Sequence, residues 1–408
     1  MIKDAAKNLV KNDLPATTLS AREFMDSPHT TLEGELGPVI IISDALPERN
    51  GVGAYYKDLL DQLSENGYKA TFLAPNPEKW QLLKFPLPGD STQTVYLPSL
   101  FRFHKAMRRI RPKAIVVGTP GPFGLLGALW ARRLGARLIV GFHTHFSSVT
   151  DLYGNRWLRN FSRFYFNIAD NLLFRYGDQI LANSDQMVDL AHSLGANNVE
   201  IMGTLLPPAA LQPVTAPRGE LEHVLFAGRL APEKRVHLVV DAARELPHIR
   251  FTLAGDGPLK GEFEEAAREL PNLSLLGWVD RQQLLGAMDS ADLLVLPSTV
   301  ESFGTVALEA MARQRLALVS PQCGIVDWPD LVDNLFQIGA DESVADALRR
   351  IAGLAGEVRR ETASRAREAA LKLNSNSVRH WVQMLSASKP HPDPNDKSKH
   401  KSNTGPTS

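Results

Sequence analysis

The sequence predicts an α/β protein with two doubly wound parallel-sheet domains that face each other across a cleft. The first observation is that short apolar runs alternate with longer amphipathic stretches, and that this alternation occurs twice along the chain. The second is that the apolar runs are continuous, as in Val39–Ile42, which is typical of strands covered on both faces. A proline-rich segment between the two series, residues 205–221, predicts a linker.

The first domain is predicted over residues 38–204, with a helix near Tyr55–Asn66 after its first strand. The predicted strands are Pro38–Ser43, Lys69–Leu73, Ala114–Val117, Ala136–Gly141, Asp178–Ala182 and Val199–Met202. The 18 uncharged residues from Ala114 to Ala131 approach the length of a membrane span, but six of them are Gly or Pro. That run therefore favours a buried strand, a turn and a helix.

The second domain is predicted over residues 222–373, where the alternation restarts. Its predicted strands are His223–Phe226, Arg250–Leu253, Leu273–Leu276, Leu293–Leu296, Ala317–Val319 and Leu335–Ile338. The amphipathic stretch Ser375–Leu385 has no strand after it, so we predict a C-terminal helix over 374–387 that crosses back to the first domain. Residues 1–37 form a polar extension, and residues 388–408 lack large apolar residues, which predicts a disordered tail.

The composition excludes several classes of protein. The 408 residues are 44% hydrophobic and 22% charged, which is ordinary for a globular protein. The 45 basic residues balance 45 acidic residues, which argues against a dedicated nucleic-acid-binding protein. Cys323 is the single cysteine, so a disulfide framework is excluded and a reducing compartment is favoured. The early charges at Met1–Ala5 argue against a secretory signal, and we expect a cytoplasmic protein.

The most informative motif spans residues 297–310, directly after a predicted strand and at the start of a helix. The backbone N–H groups at this helix start belong to Phe303, Gly304 and Thr305. Such a helix start favours an anion, and glycine permits close approach of the backbone. Glu301 lies at the mouth, and Glu309 lies about 12 Å further along the helix. A bound diphosphate would then have one carboxylate beside a sugar and the other beside a ribose; the alternative is two ordinary surface glutamates.

Three further loops follow predicted strands. Arg229 and Lys234 can converge on phosphates, one as a planar fork and the other as a point charge, although a solvated basic turn is the alternative. Gly255 lies in a glycine-rich turn that is also common where no ligand binds. Gly53 ends a Gly-Val-Gly loop that is compatible with phosphate binding but is weak evidence by itself.

His143 and His145 end another predicted strand and resemble a metal-binding pair. No third and fourth ligand follow at a telling spacing, so we predict no metal and no cofactor apart from a donor substrate.

In combination these motifs are more specific than any one of them. Gly-Arg-Leu-x-Pro-Glu-Lys at 228–234, Ala-Gly-Asp-Gly-Pro-Leu at 254–259 and Pro-Ser-x-x-Glu-Ser-Phe-Gly-x-x-x-Leu-Glu-Ala at 297–310 occur in this order. The order and spacing resemble the retaining glycosyltransferases of family 4, which have the two-domain GT-B fold built from Rossmann-like domains. The resemblance is strongest over 222–313 and extends more loosely over 38–385.

The resemblance implies a role for each matching residue. Arg229 and Lys234 would hold the donor diphosphate, Glu309 the donor ribose and Glu301 the hydroxyls of the transferred sugar. His143 would contact the sugar from the first domain and position it. The expected donor-binding set also includes Gly53, Gly255, Phe303, Gly304 and Thr305.

Within this family, the sequence resembles one subgroup more than the others. The His-Thr-His-Phe sequence at 143–146 and Ala-Asn-Ser at 182–184 look most like members that glycosylate lipids such as diacylglycerol or phosphatidylinositol. Three segments depart from the usual family pattern: Gly51-Val52-Gly53, Gly203-Thr204-Leu205 and Cys323-Gly324-Ile325-Val326-Asp327. These departures concern the substrate subclass more than the reaction class.

We therefore expect a retaining hexosyltransferase that uses a UDP-sugar and a membrane lipid, with front-face attack and no enzyme base. The alternatives are a soluble or polysaccharide-precursor acceptor, a nucleotide-sugar epimerase, or a non-catalytic protein that binds nucleotide sugars. The sequence predicts no oligomeric state.

The charge distribution favours an anionic membrane as a partner. Between Phe101 and Arg175 there are 13 Lys or Arg residues and only two acidic residues, Asp151 and Asp170. Large apolar residues are interleaved, including Phe101, Phe103, Trp130 and Trp157. Such a basic, aromatic surface predicts peripheral binding at the inner face of the membrane, whereas the alternative is a solvated basic face over a core of aromatic residues.

Overall fold

Two parallel sheets of six strands each form the framework of the protein. The computed structural model describes residues 37–46, 51–75, 83–87, 90–143, 156–215 and 219–387. The expected extension at 1–37, apart from Gly37, and the expected tail at 388–408 lie outside the described residues. The predicted fold class, two doubly wound parallel-sheet domains, is confirmed.

The first sheet is wound outward from its centre, in the order β2-β1-β5-β6-β7-β8. The strands of this half of the chain are β1 (Val39–Ile42), β2 (Ala70–Leu73), β3 (Lys84–Leu87), β4 (Asp90–Tyr96), β5 (Ala114–Val117), β6 (Arg137–Phe142), β7 (Gln179–Ala182) and β8 (Val199–Ile201). The helices are α1 (Gly51–Glu65), α2 (Leu100–Ile110), α3 (Pro122–Leu134), α4 (Arg156–Tyr176), α5 (Asp185–Ser193) and α6 (Pro208–Leu211). Every neighbouring pair in this sheet is parallel, as the continuous apolar strands predicted.

The central strand β1 shows why its apolar run is continuous. Successive side chains of a strand point to opposite faces of the sheet. Ile40 and Ile42 pack in one apolar cluster, whereas Val39 and Ile41 pack in another. All four side chains are buried, so neither face of the strand tolerates a polar residue.

One pair of strands was not predicted. β3 and β4 form a separate antiparallel hairpin between β2 and α2. Their sequences, Lys-Phe-Pro-Leu and Asp-Ser-Thr-Gln-Thr-Val-Tyr, lack a continuous apolar run and contain a proline. Because the prediction relied on continuous apolar runs, it could not detect a hairpin outside the main sheet.

The second sheet repeats the arrangement of the first, in the order β11-β10-β9-β12-β13-β14. Its strands are β9 (His223–Ala227), β10 (Arg250–Ala254), β11 (Leu273–Gly277), β12 (Leu293–Leu296), β13 (Leu316–Val319) and β14 (Phe336–Gln337). The helices are α7 (His237–Glu245), α8 (Lys260–Glu269), α9 (Arg281–Ser290), α10 (Thr305–Ala312), α11 (Pro329–Val332), α12 (Val344–Ala352) and α13 (Gly356–Ser386), with 3₁₀ turns at Pro232–Lys234 and Gly324–Asp327. The carboxyl ends of β9, β10 and β12 thus bring the three predicted motifs to one edge.

The last helix, α13, is one continuous element of 31 residues that starts well before the predicted boundary at 374. Near its start, Arg359 donates hydrogen bonds to the carbonyl of Gly219. Near its end, the Trp381 indole N–H donates to the Tyr55 hydroxyl at 2.7 Å, and Arg137 donates to the Met384 carbonyl at 2.6 Å. At about 1.5 Å per residue the helix is about 46 Å long, so it reaches from the second domain to the first.

Candidate donor-sugar site and its partners across the cleft

The loop after β12 delivers the start of α10 to the edge of the second sheet. Gly304 caps this helix with a φ of +94°, a backbone conformation that other residues rarely adopt. A Cβ at Gly304 would also approach the Cys323 Sγ to 2.5 Å. Glycine is therefore required at this position for two reasons, the backbone conformation and the lack of space for a side chain. The resulting loop conformation sets the direction of the helix start.

Phe303 has a structural role in the same loop. Its side chain is buried and packs edge-on against Trp328, with ring centroids 6.0 Å apart. Its carbonyl accepts hydrogen bonds from the Ile325 N–H at 2.8 Å and from the Cys323 thiol at 3.1 Å. Phe303 could therefore contact a ligand only through its backbone N–H, whereas Thr305, the first residue of α10, is half-buried.

Lys234 and Glu301 form an ion pair at the mouth of this loop. Both side chains are 17% exposed, so the pair is partly desolvated. The two loops are held together by the backbone, because the Thr299 N–H donates to the Glu233 carbonyl at 2.8 Å. The structure thus brings together two of the predicted site residues, which lie 67 positions apart in the sequence.

Arg229 lies beside the acidic residue of its own turn. Its Nη1 is 3.6 Å from the Glu233 Oε1, and Glu233 is buried. A Cβ at Gly255 would lie 1.8 Å from the carbonyl oxygen of Gly228, so the turns after β9 and β10 are packed backbone against backbone. The packing alone accounts for a glycine at 255, whichever ligand binds nearby.

Glu309 contacts a cation that the sequence analysis missed. The Glu309 Oε1 accepts a hydrogen bond from the Arg281 Nη2 at 2.7 Å, and the same nitrogen donates to the Asp58 Oδ2 at 2.8 Å. Asp58 belongs to α1 of the first domain, so Arg281 joins the two domains across the cleft. A capping box on Asp280 places Arg281 at the first position of α9. This capping box was the one local feature of the sequence that could have indicated where Arg281 lies.

Burial dominates the ionisation of these carboxyls. Desolvation raises the pKa of Asp58 to about 7, against the opposing effect of the Arg281 guanidinium. Desolvation also raises the pKa of Glu309, and Arg281 again opposes the shift. Two buried carboxyls thus share one guanidinium, and a ribose hydroxyl at Glu309 would compete with Arg281 for the carboxylate.

His143 faces the cleft from the end of β6. Its Nε2 lies 2.8 Å from the Tyr56 hydroxyl, and its ring packs edge-on against the rings of Tyr55 and Tyr56. Burial lowers the pKa of His143 to about 3, so the imidazole is neutral at physiological pH. The side chain can therefore position a hydroxyl by hydrogen bonding but cannot supply a positive charge there. His145, the other member of the suggested pair, lies outside the described residues.

Gly53 lies in the first turn of α1, which starts at Gly51, so the prediction of a Gly-Val-Gly loop before a helix near Tyr55 is wrong. A Cβ at Gly53 would lie 2.7 Å from the Leu46 carbonyl oxygen, so glycine lets the segment after β1 pack on the start of α1. In that segment, the Asp44 carboxylate accepts hydrogen bonds from the N–H groups of Phe123 and Gly124 at 2.6 and 3.1 Å. The protein's own carboxylate therefore occupies the anion-binding start of α3, although burial raises the pKa of Asp44 to about 6.

Across the described ranges, no three His, Cys, Asp or Glu side chains form a group that could hold a metal ion. The prediction of a reaction without a metal stays a prediction. In the part of the chain that the structure covers, no helix combines the length and apolar character that a membrane span requires.

Two six-stranded parallel-sheet domains with a helix start at the cleft form the GT-B architecture. The solved structure of HepE from Anabaena with UDP and glucose aligns with a TM-score of 0.63 at 17% identity, covering 86% of this chain and 100% of that one. Sucrose-phosphate synthase from Thermosynechococcus elongatus aligns with a TM-score of 0.64, again at 17% identity and with 86% and 100% coverage. At these identities the likeness shows the fold.

The sequence itself supplies the family. Residues 49–203 match the family model described as Glycosyltransferase Family 4, and residues 222–353 match the model described as Glycosyl transferases group 1. The chain belongs to the glycosyltransferases that combine these two domains, as the motifs predicted.

Curated relatives are glycosyltransferases with several donors. The sulfoquinovosyl transferase SQD2 of Arabidopsis thaliana is 27% identical over 61% of this chain, which spans half of that protein. A GDP-mannose-dependent alpha-mannosyltransferase of Mycobacterium tuberculosis is 25% identical over 70% of this chain and 79% of its own length. A GDP-mannose-dependent alpha-(1-6)-phosphatidylinositol dimannoside mannosyltransferase of the same species is 31% identical over 36% of this chain and 39% of its own length.

Proposed function

We propose that this protein is a retaining hexosyltransferase that transfers a sugar from a nucleotide-diphosphate donor, a UDP-sugar, to a hydroxyl of a membrane lipid such as diacylglycerol. The observation that carries the proposal is the Lys234–Glu301 ion pair at the start of α10. It places a cation and a carboxylate beside a helix start that favours an anion. These are the three groups that a sugar diphosphate requires.

Donor binding would rearrange this pair. A diphosphate carries more charge than the Glu301 carboxylate, so it would draw the Lys234 ammonium towards itself and release Glu301 for the sugar hydroxyls. Arg229 lies one turn earlier on the same loop and would add a second cation. Fixed positive groups around a leaving diphosphate stabilise the charge that develops in the transition state.

The transfer step needs no base from the protein. The bond between the anomeric carbon and the diphosphate oxygen breaks, and a bond to the acceptor oxygen forms on the same face. The acceptor proton passes to the departing phosphate oxygen. The neutral His143, held by the Tyr56 hydroxyl, would position the transferred sugar during this step.

A lipid acceptor is supported by the surface of the first domain. On α2 the Phe103 and Met107 side chains are buried, whereas Leu100 and Phe101 are 70% and 77% exposed. An open groove beside it is lined by His104, Leu129, Trp130, Arg132 and Arg133. The Arg133 guanidinium lies 5.7 Å above the Trp130 ring, which keeps a cation next to exposed apolar surface. Such a surface suits a peripheral position at the inner, anionic face of a membrane.

The name of one relative also supports this acceptor class, because it includes phosphatidylinositol dimannoside. The deciding experiment incubates the purified protein with UDP-glucose, UDP-galactose or GDP-mannose and with vesicles that contain dioleoylglycerol or phosphatidylinositol. Mass spectrometry then identifies any glycolipid product, and proton NMR reports its anomeric configuration. An α-linked glycolipid from UDP-glucose or UDP-galactose supports the proposal, whereas a product from GDP-mannose alone would overturn the UDP-sugar donor. Absence of any glycolipid, with transfer to a soluble sugar, would overturn the lipid acceptor.

A further inference from the structure

Asp170 is a carboxyl on the buried side of α4. Its neighbours at helical spacing on that side are buried apolar residues, namely Phe166, Ala169, Leu173 and Phe174. Asp170 itself is 5% exposed. Its position follows the apolar period of the helix, so the pattern would place a leucine or an alanine there rather than an aspartate.

The Asp170 carboxyl has no hydrogen-bonding or ionic partner among the described residues, and burial raises its pKa to about 7. Asp44 provides a comparison, because its buried carboxylate accepts bonds from two backbone N–H groups and from the Thr119 hydroxyl at 2.7 Å. A buried polar group without a partner destabilises a fold. Burying the Asp170 carboxyl therefore costs folding free energy, and no contact among the described residues of α4 offsets that cost.

The surroundings of Asp170 point to what offsets that cost. Asp170 and His143 line one small pocket, whose other walls include Gly118, Gly141 and Phe142. These wall residues lie at the carboxyl ends of β5 and β6. In open parallel sheets, ligands bind outside the carboxyl ends of the strands. The pocket thus opens next to the histidine that faces the transferred sugar in the proposed function.

We propose that Asp170 is an acceptor-binding residue, whose carboxylate accepts a hydrogen bond from a hydroxyl of the acceptor held beside His143. This inference rests on the proposed transferase function and assigns one hydroxyl of the acceptor to this pocket, whose volume of about 10 Å³ matches a water-sized group. Asp170 orients the acceptor and takes no proton, because the reacting proton passes to the departing phosphate. A hydroxyl group is the right ligand, since it donates a hydrogen bond without introducing a second charge.

The test compares wild-type protein with Asp170→Asn and Asp170→Leu. Asn171→Ala is the matched control, because Asn171 is exposed on the same helix and bonds only along it, to the Asn167 carbonyl at 2.7 Å, among the described contacts. Transfer to dioleoylglycerol or phosphatidylinositol vesicles, hydrolysis of the sugar donor by water, UDP affinity and melting temperature are measured on each protein. Hydrolysis and UDP affinity report the donor site without the acceptor.

We expect Asp170→Leu to lower kcat/KM for the lipid acceptor at least tenfold, mainly through KM, because a hydrogen bond to a charged group is lost. UDP affinity and donor hydrolysis should stay within about twofold of wild type, and the melting temperature should not fall, because the leucine completes the apolar side of α4. The acceptor KM of Asp170→Asn should lie between the values of wild type and Asp170→Leu.

Three outcomes would count against the proposals, and they differ. Wild-type protein that transfers nothing to either lipid removes the proposed function and this inference with it. Wild-type protein that transfers normally, while Asp170→Leu keeps the wild-type acceptor KM, removes the role of Asp170 alone. A parallel loss of UDP affinity and melting temperature in both variants would assign Asp170 a structural role instead.

Discussion

Arg281 of the second domain donates a hydrogen bond to Asp58 of the first domain at 2.8 Å, across 223 positions of sequence. The same nitrogen bonds Glu309, so this contact links closure of the cleft to the carboxylate expected to bind the donor ribose. The side chains of Asp58 and Glu309 are only 4% and 8% exposed. The Arg281 guanidinium is therefore the main group that offsets the free-energy cost of burying these two carboxylates.

The first prediction concerns this bridge. Arg281→Met leaves two buried carboxyls without their cation and should lower the free energy of unfolding by about 3 kcal/mol at pH 8. At pH 5 Asp58, whose pKa burial raises to about 7, holds a proton, so the loss should shrink. Urea unfolding at the two pH values measures the difference. Arg349→Met is the control, because its bond to Glu245 at 2.8 Å joins two half-exposed side chains, so its loss should change the free energy of unfolding much less than Arg281→Met does. An equal loss at both pH values would contradict the bridge.

The second prediction concerns the donor site. Lys234→Ala and Glu309→Gln should each lower turnover about a hundredfold, because losing one preorganised charged contact raises the barrier by about 3 kcal/mol. Circular dichroism and melting temperature check that the fold is retained. Lys372→Ala is a suitable control, since Lys372 pairs with Asp330 on an exposed surface. Near-wild-type rates for both site variants would remove the site assignment.

The third prediction concerns metals. Activity should survive EDTA, because Arg229 and Lys234 supply the positive charge expected at the diphosphate and no Asp-x-Asp motif follows a strand. The measurement is the transfer rate after dialysis against EDTA, compared with the rate after adding Mn²⁺ or Mg²⁺. Complete loss in EDTA, with recovery on adding either ion, would reopen His143 and His145 as ligands.

The fourth prediction uses the buried carboxyl of Asp170. Its pKa is raised to about 7, so the folded state keeps a proton that the unfolded state releases near pH 4. Stability from this group is therefore present below about pH 4 and is lost as the pH rises to about 7. Relative to wild type, Asp170→Asn should gain about 4 kcal/mol of unfolding free energy across that interval. The unfolding free energy of Asn171→Ala should depend on pH as that of wild type does. If the unfolding free energy of Asp170→Asn also followed the wild-type pH dependence, the raised pKa of Asp170 would be contradicted.

The fifth prediction concerns the membrane. Arg108, Arg109, Arg132 and Arg133 are exposed in the basic segment of the first domain, and each cation near an anionic surface contributes about 1 kcal/mol. Changing all four to Glu should weaken sedimentation with anionic vesicles at least a hundredfold at low salt. Arg268→Glu, on an exposed helix of the second domain, should change binding little. Vesicle binding that does not depend on lipid charge or on salt concentration would point to a soluble acceptor.

The sequence predicted what depends on local pattern. The apolar runs located every strand of the two sheets. The central strands, such as β1, β5 and β12, are buried on both faces and therefore cannot alternate, whereas the edge strands β2 and β11 are partly exposed. Gly304 and its helix start were also predictable, since a strand, a glycine and a helical period are all local features. The family motif then brought Lys234 and Glu301 into one site before their contact was known.

What the sequence did not predict depends on distant parts of the chain. Asp58 has the appearance of an ordinary polar residue on α1, and Arg281 that of a helix-start residue, until the two domains meet. Asp170 was counted as one of two charges opposing a basic surface, whereas the structure buries it. Burial of a polar side chain depends on what covers it, and no local pattern contains that information.

The length and position of α13 have a consequence for the order in which the protein folds. One apolar cluster of the first domain combines Val39, Ile41 and Tyr55 with Val378 and Trp381, which are synthesised more than 300 residues later. The same cluster includes Tyr56, Leu59 and Leu63 of α1, so α1 covers part of this face of the first sheet early in synthesis, and the rest is covered only when the end of α13 has left the ribosome. The second domain depends on the first half of the same helix, because Ala363, Ala366 and Ala370 of α13 are buried in the cluster that contains its core, so both domains complete their packing only after α13 has been made.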